Sequence, residues 1–134
     1  MTKVVNIKVK ELRQDGYWDL LEWLKKPEHI YIGRSVWNIK GADDSFWRNP
    51  FSVKKYGRDK CLEMYKNYVL NNPKMMSKIR ELEGKKLGCW CHPEKCHGDI
   101  LVEILYQEKE KDIKANMKKE ISNGLRSAKE IILA

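Results

Sequence analysis

The sequence has 134 residues, with 27 lysines and arginines against 19 aspartates and glutamates, and a formal charge of +8. That length suits one domain and excludes an enzyme assembled from separate cofactor and substrate domains. With 42% hydrophobic and 34% charged residues, wholesale disorder is excluded, as is a membrane span of ~20 apolar residues.

The start, Met1-Thr2-Lys3-Val4-Val5, lacks the apolar run of a secretory leader, so a cytoplasmic protein without a membrane partner is expected. Residues 4–9, Val-Val-Asn-Ile-Lys-Val, are β-branched and partly alternating, which predicts a first strand. Leu20, Leu21, Trp23 and Leu24 fall at helical spacing within residues 17–25, and Pro27 ends that helix. His29-Ile30-Tyr31-Ile32 predicts a second strand, stopped by Gly33. Residues 34–57 show no period and contain Gly41, Pro50 and Gly57, so they predict a long loop. Loops of that length in compact domains are functional or disordered, and the aromatics here argue against disorder.

Leu62, Tyr65 and Val69 predict an amphipathic helix over 58–70. Asn71-Asn72-Pro73 breaks it, and Pro73 then suits the first turn of another helix with Met76, Ile79 and Leu82 as its stripe. Gly84 is a natural stop. Residues 86–91 predict a third strand, and Cys96 or His97 opens a helix that carries Ile100, Leu101, Ile104 and Leu105. Beyond Glu108, Ile113, Met117, Ile121 and Leu125 recur every four residues on a charged background. They predict an amphipathic extension that covers the core or a second copy of the chain, with Asn123-Gly124 as a candidate break. The order gives a single α/β domain over 1–107, of two or three layers with a short, mainly parallel sheet, and a C-terminal helical extension over 108–134. Parallel sheets bind ligands outside the carboxyl ends of their strands. The ends at Gly33-Arg34 and Cys89-Trp90-Cys91 are therefore expected to face one crevice, with the long loop leaving from it.

The charge is uneven. Residues 34–60 hold seven basic and three acidic side chains, half of the net excess, together with Trp37, Phe46, Trp47, Phe51 and Tyr56. Basic residues interleaved with aromatics suit phosphate contact plus base stacking. A solubilising surface with its aromatics turned inward has the same composition.

Three of the four cysteines fall in Cys89-Trp90-Cys91-His92-Pro93-Glu94-Lys95-Cys96-His97-Gly98-Asp99. The fourth, Cys61, reads as a small buried hydrophobe. The cluster is open to three chemistries. Cys89, Cys91, Cys96 and either His92 or His97 could ligate zinc, although the Cys-x-Cys spacing departs from the usual knuckle. Alternatively, Cys96 at a helix N-terminus is an activated thiol, His97 moves a proton, Asp99 orients His97 or caps the helix, and Arg34 holds an anionic group. Thirdly, Leu87, Cys89 and Cys91 only fill the core side of the strand, and His97-Gly98-Asp99 acts as a helix cap.

Several separated segments resemble a known family, a small domain of unknown function from bacteria, phages and other viruses. They are Val4-Val5-Asn6, Ile32-Gly33-Arg34, Trp47-Arg48-Asn49-Pro50-Phe51, Tyr65 within its helix, and the run from Leu82 to Asp99. The resemblance extends from about Val4 to Leu105. It implies no established reaction. It implies that the Ile-Gly-Arg, Asn-Pro-Phe and Cys-His-Gly-Asp segments belong together. The leading expectation is an enzyme or ligand-binding protein for a nucleotide or nucleic-acid-derived substrate. Cys91, Cys96, His97 and Asp99 would do the chemistry, and Arg34, Trp37, Trp47, Arg48, Asn49 and Arg58 would hold the ligand. The alternatives are a non-catalytic nucleic-acid-binding module and a structural zinc protein.

Overall fold

The computed structural model describes the backbone of residues 1–133 and the side chains of residues 1–124. In chain order the elements are β1 (Lys3–Asn6), α1 (Val9–Gln14), α2 (Leu20–Trp23), β2 (His29–Tyr31), α3 (Val53–Tyr56), α4 (Arg58–Leu70), α5 (Pro73–Lys78), a 3-10 turn (Ile79–Leu82), β3 (Lys86–Cys89) and α6 (His97–Leu133). The three strands pair in the order β1-β3-β2, both pairs parallel. Leu87 of β3 stands between Val4 and Ile30. The last strand in sequence takes the central place, and Leu87, Gly88 and Cys89 are all buried. Burial on both faces is what a central parallel strand requires.

Strand alternation divides the core in two. Leu87 and Cys89 face a cluster with Leu62, Tyr65 and Val69 of α4, Met75 of α5, and Leu101, Ile104 and Leu105 of α6. On the other face, Ile7, Leu12, Leu20, Trp23 and Tyr31 pack together. A methyl group on Gly88 would lie 2.9 Å from Ile7 and from Trp23. The chain is thus a three-layer α/β fold, with α1 and α2 on one side of the sheet and α4, α5 and α6 on the other.

The predicted elements are present with shifted ends. The first strand stops at Asn6 rather than residue 9, because Asn6 Oδ1 accepts the Lys8 N–H at 2.9 Å and turns the backbone. Val9 then begins α1, a helix with Leu12 as its one buried residue, too short to show a period. Asp19 caps α2 by accepting from the Glu22 N–H at 2.9 Å, which delays that helix to residue 20. Asn72 caps α5, with Pro73 in its first turn, and Gly84 at φ +74 ends the segment. The loop over 34–57 contains one unpredicted turn of helix, α3, capped by Ser52.

α6 crosses residue 107 without interruption and does not break at Asn123-Gly124. A glycine inside a helix costs only ~1 kcal/mol relative to alanine. Arg80 holds Asp112 through two hydrogen bonds of 2.8 and 3.0 Å. Beyond that tether Ile113, Met117 and Ile121 are exposed. The Leu125 side chain lies outside the described residues. No helix among the described residues is long and apolar enough to cross a membrane.

Candidate functional site

At the carboxyl ends of β2 and β3 lies a cleft of about 290 Å³. Its lining includes Gly33 and Arg34, Asn49 and Phe51, and Cys89, Trp90, Cys91 and His97. Three separated segments of the sequence therefore meet at one mouth. Hydrogen bonds fix them there. The Ile32 carbonyl accepts from His97 Nε2 at 2.6 Å. Trp90 Nε1 donates to the Tyr31 hydroxyl at 3.0 Å, and that hydroxyl donates to the Arg34 carbonyl. Arg34 donates from Nε to the Asn49 carbonyl and from Nη2 to the Phe51 carbonyl, both at 2.7 Å.

Arg34 is thus committed in part to the loop rather than wholly to an anion. A guanidinium has five N–H donors, so three remain after these two bonds. Asn49 Oδ1 takes the Phe51 N–H at 2.9 Å, and its Nδ2 donates to Cys61 Sγ at 3.2 Å. Cys61 Sγ donates in turn to the Phe51 carbonyl at 3.2 Å. Cys61 is fully buried, as its place in the sequence predicts, and it also locks the Asn-Pro-Phe turn.

The other ligand-holding candidates lie apart from the cleft lining. Trp47 is buried in the core, and its carbonyl accepts from the Tyr65 hydroxyl at 2.7 Å. It cannot stack an incoming base while it fills that position. Trp37 is 95% exposed. Arg48 is exposed and donates to the Ser45 carbonyl at 3.0 Å. Arg58 reaches across to the β3–α6 turn, donating to the Lys95 carbonyl at 2.8 Å and to Glu94 at 2.7 Å. Its guanidinium also faces the Cys91 thiol. The aromatic walls of the cleft, Phe51 and Trp90, were not singled out by sequence reasoning. The strand-end rule could have found Trp90, which sits between the two strand cysteines.

The helix start explains Cys-His-Gly-Asp. Cys96 occupies the cap position, and its N–H is accepted by Asp99 Oδ2 at 2.9 Å. The Asp99 N–H in turn donates to the Cys96 carbonyl at 3.0 Å. The Asp99 carboxylate thus reaches back to the cap N–H, which is the carboxylate half of a capping box. Asp99 therefore serves the helix end and not His97, whose partner is the Ile32 carbonyl. Cys96 is only 2% exposed, so it lies behind the cleft and not in it.

A carbonyl can only accept, so His97 carries its proton on Nε2 and keeps a lone pair on Nδ1. Burial holds its pKa below the ordinary imidazole range, against the raising pull of the Ile32 carbonyl. In the unfolded chain the imidazole protonates near its usual value of about 6.5. Its contribution to stability is therefore present above that pH and is lost as pH falls through the folded value. His97→Gln, which can still donate to Ile32, is expected to flatten the dependence of Tm on pH below 6.5. An unchanged slope would reject this assignment.

The three remaining sulfurs are grouped. Cys89 Sγ and Cys96 Sγ are 2.9 Å apart, and Cys89 Sγ accepts from the Cys91 N–H at 3.2 Å. Cys91 is half-buried and opens to the cleft. Two thiolates on a tetrahedral zinc with bonds of about 2.3 Å stand about 3.8 Å apart. The Cys89–Cys96 spacing is shorter than that, and His97 Nε2 is already bonded to a carbonyl. Among the described residues no group of three or more His, Cys, Asp or Glu side chains is placed to hold a metal ion. The zinc alternative on Cys89, Cys91, Cys96 and His97 does not fit this geometry.

Residues 20–107 match the profile of one family, described as a domain of unknown function, DUF4326. The uncharacterized protein R718 of Acanthamoeba polyphaga mimivirus is 37% identical over 88 residues, covering 56% of this chain. The alignment spans 65% of that viral protein's length, just under two thirds. An uncharacterized 12.4 kDa protein from the nrdA-td intergenic region of Enterobacteria phage T4 is 31% identical over 76 residues, covering 54% of this chain and 70% of its own. No solved structure matches. The matched span holds β2, β3, the loop between them and the first turns of α6, which are the elements that build the cleft, and on that span the chain belongs to the DUF4326 family.

Proposed function

We propose that the protein is an enzyme acting on a nucleotide or nucleic-acid-derived ligand in the cleft at the carboxyl ends of β2 and β3. The observation that carries this reading is the convergence there of a half-buried thiol, a neutral imidazole and two aromatic walls. A volume of about 290 Å³ suits one nucleotide-sized ring system rather than a strand. Phe51 and Trp90 flank the ring, and stacking of this kind contributes about 1–3 kcal/mol per base. The three unused N–H donors of Arg34 and the exposed Lys54 and Lys55 supply phosphate contacts at the rim. Cys91, faced by Arg58, is the candidate nucleophile. Nδ1 of His97 is the candidate proton acceptor.

The test is a thermal-shift screen of nucleosides, nucleotides and short oligonucleotides. A ligand at 100 times its Kd adds about 2.7 kcal/mol, which is readily seen as a rise in Tm. Trp90→Ala is expected to weaken that ligand about tenfold or more. If no nucleoside or nucleotide shifts Tm, the reading fails. One observation favours a second reading, a non-catalytic nucleic-acid-binding module. Trp37 is 95% exposed in the segment with half the net charge. That reading expects salt-dependent oligonucleotide binding that is lost in Trp37→Ala and unaffected by Cys91→Ser.

A further inference from the structure

Three cysteines lead from the cleft into the core, two of them, Cys89 and Cys91, in the cleft lining. Cys91 lies at the mouth. Its backbone N–H donates to Cys89 Sγ at 3.2 Å, and Cys89 Sγ, which is buried, stands 2.9 Å from Cys96 Sγ, also buried. Simple packing does not explain how the buried pair is held. Cys89 Sγ accepts from the backbone N–H of Cys91 at 3.2 Å. Cys96 is pinned at the start of α6, where Asp99 Oδ2 accepts its backbone N–H at 2.9 Å. Cys89 Sγ is thus held between the Cys96 thiol and a backbone N–H, an environment that favours a thiolate on Cys89. A disulfide needs about 2.05 Å between sulfurs, so closing the Cys89–Cys96 bond requires a movement of roughly 0.9 Å.

We infer that Cys91, Cys89 and Cys96 form a thiol–disulfide relay, in which an external disulfide exchanges at Cys91 and the oxidation ends as a Cys89–Cys96 bond. In the first step the Cys91 thiolate attacks one sulfur of R–S–S–R, forming a mixed disulfide and releasing RS⁻. The Cys89 thiolate then attacks the Cys91 sulfur, forming Cys89–Cys91 and releasing the second RS⁻. The Cys96 thiolate attacks Cys89 and frees Cys91 as it began. The two protons given up by Cys89 and Cys96 end on the two RS⁻ groups. The two electrons lost by that pair reduce the external disulfide to two thiols. The same steps in reverse reduce the pair again. The relay stands on the sulfurs alone and holds whichever ligand the cleft takes.

The experiment incubates the reduced protein with glutathione disulfide, quenches by alkylation and maps the peptides by mass spectrometry. Trypsin cuts after Lys95, so Cys96 leaves on a different peptide from Cys89 and Cys91. The expected product is one cross-link joining Cys89 to Cys96, located by fragmentation, with Cys91 and Cys61 alkylated. Cys61, held between Asn49 and Phe51, is the internal control. Cys91→Ser is expected to slow the cross-link at least tenfold and leave its position unchanged. Cys96→Ser keeps a strong helix cap and is expected to accumulate glutathione on Cys91 or a Cys89–Cys91 bond. Oxidation of Cys91→Ser at the wild-type rate overturns the relay. So does a cross-link elsewhere, or equimolar zinc that survives purification and blocks the reaction.

Discussion

Gly98→Val is expected to lower Tm by about 10 °C, through overpacking of about 3 kcal/mol. Gly98 lies in the first turn of α6, where the helix comes down onto the sheet. A Cβ there would stand 2.9 Å from Ile32 Cδ1 and 3.0 Å from Val4 Cγ2. Val4 belongs to β1 and Ile32 follows β2, so the clash falls on both outer parts of the sheet at once. The glycine is flanked by Cys96 and His97 on one side and Asp99 on the other. Pushing the helix off the sheet stretches the 2.6 Å bond from His97 to the Ile32 carbonyl and the 2.9 Å cap from Cys96 to Asp99. The control is Gly124→Val, where a Cβ would meet nothing within 4 Å. Differential scanning calorimetry of the two variants decides the matter. A Gly98→Val midpoint within 2 °C of wild type would show that the close approach is not tight.

That glycine shows what the sequence does and does not disclose. Element types were legible where hydrophobic periodicity was long, as in α4 with Leu62, Tyr65 and Val69. The parallel sheet followed from strands separated by helices, and the shared mouth followed from the strand-end rule. The strand order was not legible. That β3 lies between β1 and β2 depends on Leu87, Gly88 and Cys89 being buried on both faces, and a four-residue strand carries too little pattern to reveal this. α1 and α3 were missed for the same reason, since neither is longer than two turns.

The site residues divide along a different line. Sequence chemistry identified Arg34, Asn49, Cys91 and His97, which line one cleft. It could not tell which aromatics of the 34–60 segment face inward. Trp47 and Trp37 lie in the same irregular stretch, yet one is 6% and the other 95% exposed. No periodicity exists there to separate them. Hydrogen-bond competition was equally hidden. Arg34 reads as an anion holder, but the carbonyls of Asn49 and Phe51 take two of its donors. Asp99 reads either as a partner for His97 or as a helix cap, and the Cys96 N–H decides for the cap. Such choices are made by backbone groups that a sequence pattern does not display.

The second large effect is expected in the titration of the buried sulfurs. The Cys96 thiol, aided by the N–H groups of Cys91 and His92, holds the Cys89 pKa down at about 6, although burial works against it. The partner responds in the opposite sense. With Cys89 ionised beside it, Cys96 keeps its proton well above the ordinary thiol range. The pair therefore shares one proton, and its first ionisation belongs to the pair as a unit. Thiolate absorbance at about 240 nm is expected to rise in one step near pH 6 in the wild type, and Cys89→Ser abolishes that step. Cys96→Ala removes the strongest donor, so the remaining Cys89 step moves up toward the ordinary range. At neutral pH one negative charge then sits on Cys89 beside the N-terminus of α6, where the helix dipole stabilises it. A wild-type protein with no thiolate absorbance below pH 8 would show that the donors to Cys89 do not ionise the pair. The thiol–disulfide exchange would then lose the low-pH reactivity that the buried thiolate provides.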